Sequence, residues 1–528
     1  MPESRPALLY NLLDEPLLGV EGEDGRPEKV TLPGLLARLS QGVPTALTGV
    51  QAHQQHPVHA FLVQLAALAL VRAGESAIAQ DEGAWRALLL GAAREDGAGA
   101  EAFTLVVGDL SKPAFLQPPV PEGSLDVLKS EHTRPSSELD VLITSKNHDV
   151  KIDRVERPGV EDWMFALVTL QTMQGFLGQG NYGIARMNGG FSSRPCVAFA
   201  VEQGASPRFL RDLRALLDAR QSLLRRGFAE KGSLGLVWCA PWNGTTSLGF
   251  AELDPFFIEV CRRVRLCVAA GDAIVAYRGS SKAARIDAGN SGGNTGDAWT
   301  PVAKKDGKAL TMGETGFHYA RVQDLLFGDW EHGAAGKPDE KGRDRLWVGQ
   351  VLVRGQGKTG GYHERWVPVP GKVRHLFAQP DARQRLGKRS QDWVRIAEDA
   401  RLRILKPALL TLLQGAPEKP KYDDNRVDAS LRRFDAAIDE VFFSLLFAYA
   451  SDEPQAADAA FQKELFRLAE RELQTATQSL PVPTARRWRA EAKAERVFHG
   501  LARKHFPLAF PSSPTASQET TSTQGDAQ

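Results

Sequence analysis

Apolar residues recur at different spacings along the chain, and the change between them divides it. Residues 6–20 read as a short strand or turn, and 32–42 (LPGLLARLSQG), 56–72 and 83–94 have helical spacing. Residues 103–160 alternate short apolar runs with Pro, Gly and Ser clusters, which predicts short strands and long loops. A helix is predicted over 161–176, with Trp163, Leu167, Leu170 and Met173 near one side, and Gly175 should stop it. The run 196-CVAFAV-201 reads as a strand and 207–226 as a basic amphipathic helix. Residues 234–380 read as mixed strands and loops, including 346-LWVGQVLV-353. After Gln391 the period becomes helical in four segments, about 391–414, 426–450, 456–479 and 484–505, with Pro407 expected to kink the first. Helices of that length joined by short connections predict an antiparallel four-helix bundle. The predicted fold class is therefore α+β: a large mixed α/β N-terminal domain over 1–390, a C-terminal four-helix bundle over 391–510, and a disordered Ser/Thr/Gln-rich tail over 511–528.

Charge and cysteine content narrow the function classes. The 528 residues carry 65 basic and 64 acidic side chains, a net charge of +1. A whole-protein positive field is absent, so any nucleic-acid contact must come from local patches or shared surfaces. The four cysteines, Cys196, Cys239, Cys261 and Cys267, contain no C-x-x-C pair. That spacing suits neither a structural zinc site nor a disulfide framework, and predicts free thiols in a reducing cytoplasm. The apolar run 61-FLVQLAALALV-71 is too short to span a bilayer, carries Gln64, and reads as a core helix. The expected protein is soluble and cytoplasmic, with no membrane partner.

Two glycine-dense stretches carry the candidate chemistry. The first, 177-LGQGNYGIARMNGGFSSRP-195, has five glycines, a density unsuited to a regular element. The second, 354-RGQGKTGGYHER-365, contains Gly-Lys-Thr and looks at first like a phosphate-binding P-loop. The P-loop pattern requires a glycine five residues before Gly357, where Leu352 stands, and a helix after Thr359, where Gly360 and Gly361 stand. The alternative is a glycine-rich basic loop at the end of a strand, able to press backbone N–H groups and one lysine into a narrow groove. From Arg354 to Lys406 there are 13 basic against 5 acidic residues, an excess that favours phosphate backbones. The plainer readings are a mobile hairpin tip and a solvated helix face.

In their order and spacing these segments resemble the CasA family, the large subunit of type I-E CRISPR Cascade, over roughly 8–506. Within that resemblance 142-LITSKNHDVKIDR-154 is similar to the family's L1 loop, 175-GFLGQGNYGIARMNGG-190 to its glycine loop, and 353-VRGQGKTGGYHER-365 to the loop carrying its wedge. The resemblance implies a non-enzymatic subunit that recognises a protospacer-adjacent motif (PAM), the short tag beside a DNA target, from the minor groove. It implies that the wedge helps open the duplex for R-loop formation, while guide RNA reads the target. The implied partners are the guide-RNA-containing Cascade subunits (backbone, small and 5′-handle-binding), target double-stranded DNA, and a recruited helicase-nuclease. The implied DNA-binding residues are Gly178, Gln179, Gly180, Asn181, Lys282, Lys358, Thr359 and Gly360, with Arg285 as the alternative to Lys282. Lys146, Asn147 and His148 match the L1 loop, expected near the 5′ end of the guide. The family's wedge glutamine is replaced by Lys-Thr-Gly-Gly, which makes Tyr362 a stacking candidate. No cofactor and no metal is implied.

Rival readings stand beside this one. The 355-GQGKT-359 loop could belong to a nucleotide hydrolase, or the chain could be a purely structural ribonucleoprotein subunit gripping guide RNA. His148 and Asp149 could serve acid–base chemistry, but they are adjacent and have no second histidine at ligand spacing. His53, His56 and His59 have helical spacing, yet Pro57 and the lack of neighbouring carboxylates argue against a metal site. Trp238 and Trp242 are expected in the core.

Overall fold

A computed structural model describes residues 8–22, 24–128, 132–133, 136–140, 158–269, 271–339, 341, 343–355, 358–377, 379–482 and 484–510. The L1-like residues Lys146, Asn147 and His148, and the tail from 511, lie outside the described residues. The chain is mixed helix and sheet, with helices gathered towards its C-terminal end. It folds as two compact units, Met1–Arg321 with Phe327–Gln379, and Val322–Leu326 with Pro380–Gln528.

The first unit is built around the helix Ala52–Arg72, whose residues from His56 through Leu70 are buried except His59. A helix that is apolar on all sides belongs inside a core. It packs against the helices Glu82–Glu95, Val160–Met173 and Ala205–Leu224 and the strand Leu253–Ile258. Gln64, the polar interruption in this run, donates to the carbonyl of Phe257 at 3.2 Å, so its burial costs little. The shorter helix Leu32–Gln41 starts where the Thr31 hydroxyl accepts from Gly34 N–H and ends at Gly42 with φ 77°. Trp238 and Trp242 are core residues, 0% and 2% exposed.

Sheets in this unit are small. The one that matters for function runs Lys358–Pro368, Leu346–Gly355, Cys196–Ala200, all antiparallel. Its central strand is buried from Trp347 through Arg354, which explains the apolar character of 346-LWVGQVLV-353, interrupted only by Gln350. A second hairpin pairs Arg263–Val268 with Ile274–Gly279 and delivers the chain to 280–285. The helix expected over 161–176 ends at Met173, two residues before Gly175.

In the second unit the first helix begins at Pro380, eleven residues before the expected start. Its opening, 380-PDARQRLGKRSQ-391, has few apolar residues and an internal glycine, so periodicity is weak there. Ahead of Pro407 the backbone widens into a π-type segment, Ala400–Leu405, before the helix Lys406–Leu413 continues. Proline has no N–H to donate and its ring crowds the carbonyl four residues back, and a wider turn accommodates both. Three further helices follow, Asp428–Ala448, Pro454–Ser479 and Arg487–His505. Trp393 stacks on Phe461 at 4.1 Å between centroids, with Phe442 edge-on to both.

Candidate nucleic-acid interface

Past Met173 the chain leaves its helix and folds over itself. A side chain on Gly183 would lie 2.6 Å from the carbonyl carbon of Gly175, and one on Gly175 would lie 2.4 Å from the carbonyl oxygens of Gly190 and Ser192, so neither residue can carry one. Between them Leu177 N–H donates to Asn181 O at 2.9 Å and Asn181 N–H to Gly178 O at 3.0 Å, closing a tight loop. Gly178 (φ 108°) and Gly180 (φ 84°) both have left-handed backbones. Their surroundings differ. Gly180 is buried, and a Cβ there would sit 3.0 Å from Ser280 Cβ; at Gly178 nothing lies within 4 Å. Gln179 is exposed and Asn181 half-buried.

The 280–285 turn docks on this loop. Ser281 N–H donates to Gly180 O at 3.0 Å, and Lys282 and Ala283 N–H both reach Gly244 O, at 2.6 and 3.2 Å. These bonds hold the backbone and leave the Lys282 side chain exposed, without an ion pair among the described residues. Arg285, the alternative reader, is removed from contention: it is 4% exposed, donates to the carbonyls of Ala240 (3.0 Å) and Pro241 (3.3 Å), and lies over the Trp242 ring. The glycine loop and Lys282 are therefore neighbours, although about a hundred residues separate them in sequence.

The Leu346–Gly355/Lys358–Pro368 hairpin joins the same cluster at its neck. Arg354 Nη1 donates to Gln174 Oε1 at 2.6 Å, and Gln174 Nε2 donates to Asp140 O at 3.2 Å. Arg262 Nη2 donates to Gly175 O at 2.9 Å and its Nη1 to Tyr182 O, pinning both arms of the glycine loop. Burial, followed by the nearby Arg262 charge, brings Arg354 down to about 10, still a cation at neutral pH. Asp140, where the described chain stops before the L1-like segment, accepts from His53 and Gln54 on Oδ2, both at 2.8 Å. Asp140, the glycine loop, the Lys282 turn and the hairpin neck thus form one hydrogen-bonded cluster. Gln174 and Arg262 hold it together; sequence reasoning missed both, because Gln174 is the last residue before the glycine-rich segment and Arg262 sits in a strand-forming run, 262-RRVRLCV-268, far from it in sequence.

Backbone pairing at the hairpin end runs Arg354↔Thr359 and Gly355↔Lys358, with an irregularity between Val353 and Arg354. Thr359 and the residues after it continue as strand, so Gly-Lys-Thr stands at no helix N-terminus and the P-loop arrangement is absent. The Thr359 hydroxyl is buried without a partner among the described residues, and Gly360 lies against Val353 and Glu314, where a Cβ would meet side-chain carbons at 3.0 and 3.2 Å. Tyr362 is not free to stack on a base. Its ring stacks on His56 at 5.9 Å and its hydroxyl accepts from Gln350 Nε2 at 3.1 Å.

Much of the local positive charge is used inside the protein. Arg186 pairs with Glu259 at 2.7 Å and Arg194 pairs with Asp297, each at most 4% exposed. Of the basic run from Arg354 to Lys406, Arg354, Arg365, Arg383 and Arg389 donate to internal acceptors, and Arg395, Arg401 and Arg403 pair with acids. The excess of charge expected there is not one free patch, and the two units share it across Gln379 and Pro380.

The histidine triplet also needs correction. Carboxylates do reach it, from far along the chain: Asp140 to His53, and Asp212 to His59 at 2.9 Å. Each acid serves a different ring, and no group of three or more metal-ligating side chains occurs among the described residues. All four thiols are free, and burial, opposed by the Arg194 charge, raises Cys196 to about 12. No helix of the described residues is long and apolar enough to cross a membrane.

A mixed α/β body displaying glycine and basic loops, followed by a helical C-terminal unit, defines the class of this protein. The particular fold is that of the CRISPR-associated protein Cse1, also called CasA. Cse1 from Acidimicrobium ferrooxidans superposes with a TM-score of 0.62 at 14% identity, over 95% of this chain and 99% of its own. Thermobifida fusca Cse1 gives 0.62 at 15% identity, over 95% and 99%. Thermus thermophilus CasA gives 0.58 at 16% identity, over 94% and 99%. No family model and no curated protein matches the sequence.

Proposed function

We propose that this chain is the non-catalytic large subunit of a type I-E Cascade complex, in which it binds the PAM duplex and helps open it for R-loop formation. The observation that carries the reading is the docking of the Lys282 turn on the glycine loop through Ser281 N–H and Gly180 O. It leaves an exposed lysine on a turn bonded to the glycine loop, in which Gly178 has an open face that admits a close-approaching backbone. A narrow groove with a degenerate donor–acceptor code suits such a pair: one cation and bare backbone read shape and a few bases, and the tag specificity should be relaxed. The Cse1/CasA fold over nearly the full chain supports membership of the complex. The DNA tag, the displaced duplex, the guide-containing subunits and a recruited helicase-nuclease are the partners this reading assigns.

Lys358 opens the second strand of the hairpin and is assigned to strand opening with Thr359 and Gly360. The test compares assembled complexes with and without this chain on duplexes carrying a fixed or a randomised tag. Tag-dependent binding only with the chain present supports the assignment; unchanged binding without it refutes the assignment. Lys358→Asp should weaken binding of closed tagged duplex more than of a duplex with pre-opened base pairs beside the tag. Equal losses on both would remove the wedge role.

A further inference from the structure

Among the helices Leu32–Gln41, Ala52–Arg72 and Ala205–Leu224 lies a cavity of about 290 Å³ that includes none of the loop residues above. Most of its wall is apolar, with Leu35, Leu39, Val58, Leu62 and Phe209 among the lining. One cation also lines it, Arg208, which is 6% exposed. Its Nε and Nη2 are buried and have no hydrogen-bond acceptor among the described residues. The nearest acid in sequence, Asp212, one helical turn on, is already taken: it accepts from His59 and Trp299 at 2.9 Å each and from Arg211 at 3.2 Å. On the same lining Gln350 has the opposite lack. Its Nε2 is spent on Tyr362 and Glu364, while its Oε1 is buried without a donor. The indole of Trp366 lies 5.7 Å from the guanidinium carbon.

A buried guanidinium with no acceptor is costly, and buried polar groups in folded proteins otherwise find partners. The orphaned guanidinium on a largely apolar wall, beside a cavity near the small end of ligand-pocket sizes, marks a place where a ligand bearing an acceptor completes its hydrogen bonding; Gln350 Oε1 needs a donor, which a carboxylate does not supply. We propose that this cavity binds a small carboxylate with an apolar body, the carboxylate against Arg208 and the body among the leucines. A single guanidinium supplies one positive charge, which matches a monoanion. Of the other lining residues only His59 is ionisable as a base, and it is committed to Asp212, with burial and then the Arg208 charge holding it below the usual imidazole range. A dianion such as phosphate would therefore lack a second cation and would meet an apolar wall.

The site is independent of the DNA-binding assignment and is tested on the full-length chain alone. Isothermal titration compares octanoate with 1-octanol, which has the same chain without the charge. Octanoate should bind at least tenfold more tightly, and Arg208→Met should abolish that difference. Acetyl-dileucine, as free acid and as amide, separates an acyl-chain source from a peptide C-terminus: binding of either acid supports the site and identifies the source. If neither acid binds, or if octanol binds as well as octanoate, the proposal fails. The octanoate–octanol comparison uses only the unmodified chain and so stands even if Arg208→Met does not fold.

Discussion

His56 shows how one residue's surroundings set its chemistry. It sits inside the central helix with both ring nitrogens buried and unpartnered among the described residues, stacked on Tyr362. Burial, and next the charge of Arg208, holds it well below the usual imidazole value. The folded chain keeps it neutral, while the unfolded chain takes up a proton below pH about 6.5. The unfolded state then binds more protons, so this contribution is complete above pH 6.5 and is lost as pH falls from there towards the folded value. His56→Phe keeps the stack and removes the titration. Between pH 7.5 and 5.5 the wild type should lose about 1.4 kcal/mol more unfolding free energy than the variant, measured by urea denaturation. An equal loss in both would show that His56 is not held neutral.

At the scale of elements, the glycine loop serves two purposes that composition alone does not separate. Gly175, Gly180 and Gly183 are required by the protein's own packing, whereas Gly178 is required only by its backbone angle. Gly178→Ala should therefore cost about 1 kcal/mol of strain. Gly180→Ala adds displacement of Ser280, and with it the Lys282 turn, so it should cost measurably more in denaturant titrations. If the two variants are equally stable, the docking of the turn on the loop is wrong. Tyr362 is also placed by its element: its glycine-rich neighbourhood suggests an exposed loop, but pairing with the central strand carries it back to His56 and Gln350.

For the whole molecule the decisive quantity is where charge is left over. With 65 basic and 64 acidic residues the chain has almost no net field, and many arginines are buried as internal donors. Among the charges left exposed at the loop cluster is Lys282. In the assembled complex Lys282→Ala should weaken tagged duplex and reduce the slope of log affinity against log salt by about 1, the signature of one lost phosphate contact. A slope identical to wild type would place the lysine away from the DNA.

Local pattern alone determined the central helix, the buried strand at 346–353, the glycine loop, and the failure of Gly-Lys-Thr to meet the P-loop spacing. Each depends on neighbours within about one or two turns, where periodicity and backbone freedom are direct consequences of residue type. The helical start at Pro380 was less legible, because a charged, solvated face carries little hydrophobic signal. Tertiary structure decided which polar groups are free and which are spent. Arg285 and Lys282 are three residues apart in one basic segment, yet the first ends under Trp242 and the second in solvent. Carboxylates for His53 and His59 arrive from Asp140 and Asp212, 87 and 153 residues away. Partner choice among charged side chains is settled by burial and by contacts between distant segments, and no spacing rule along the chain encodes it.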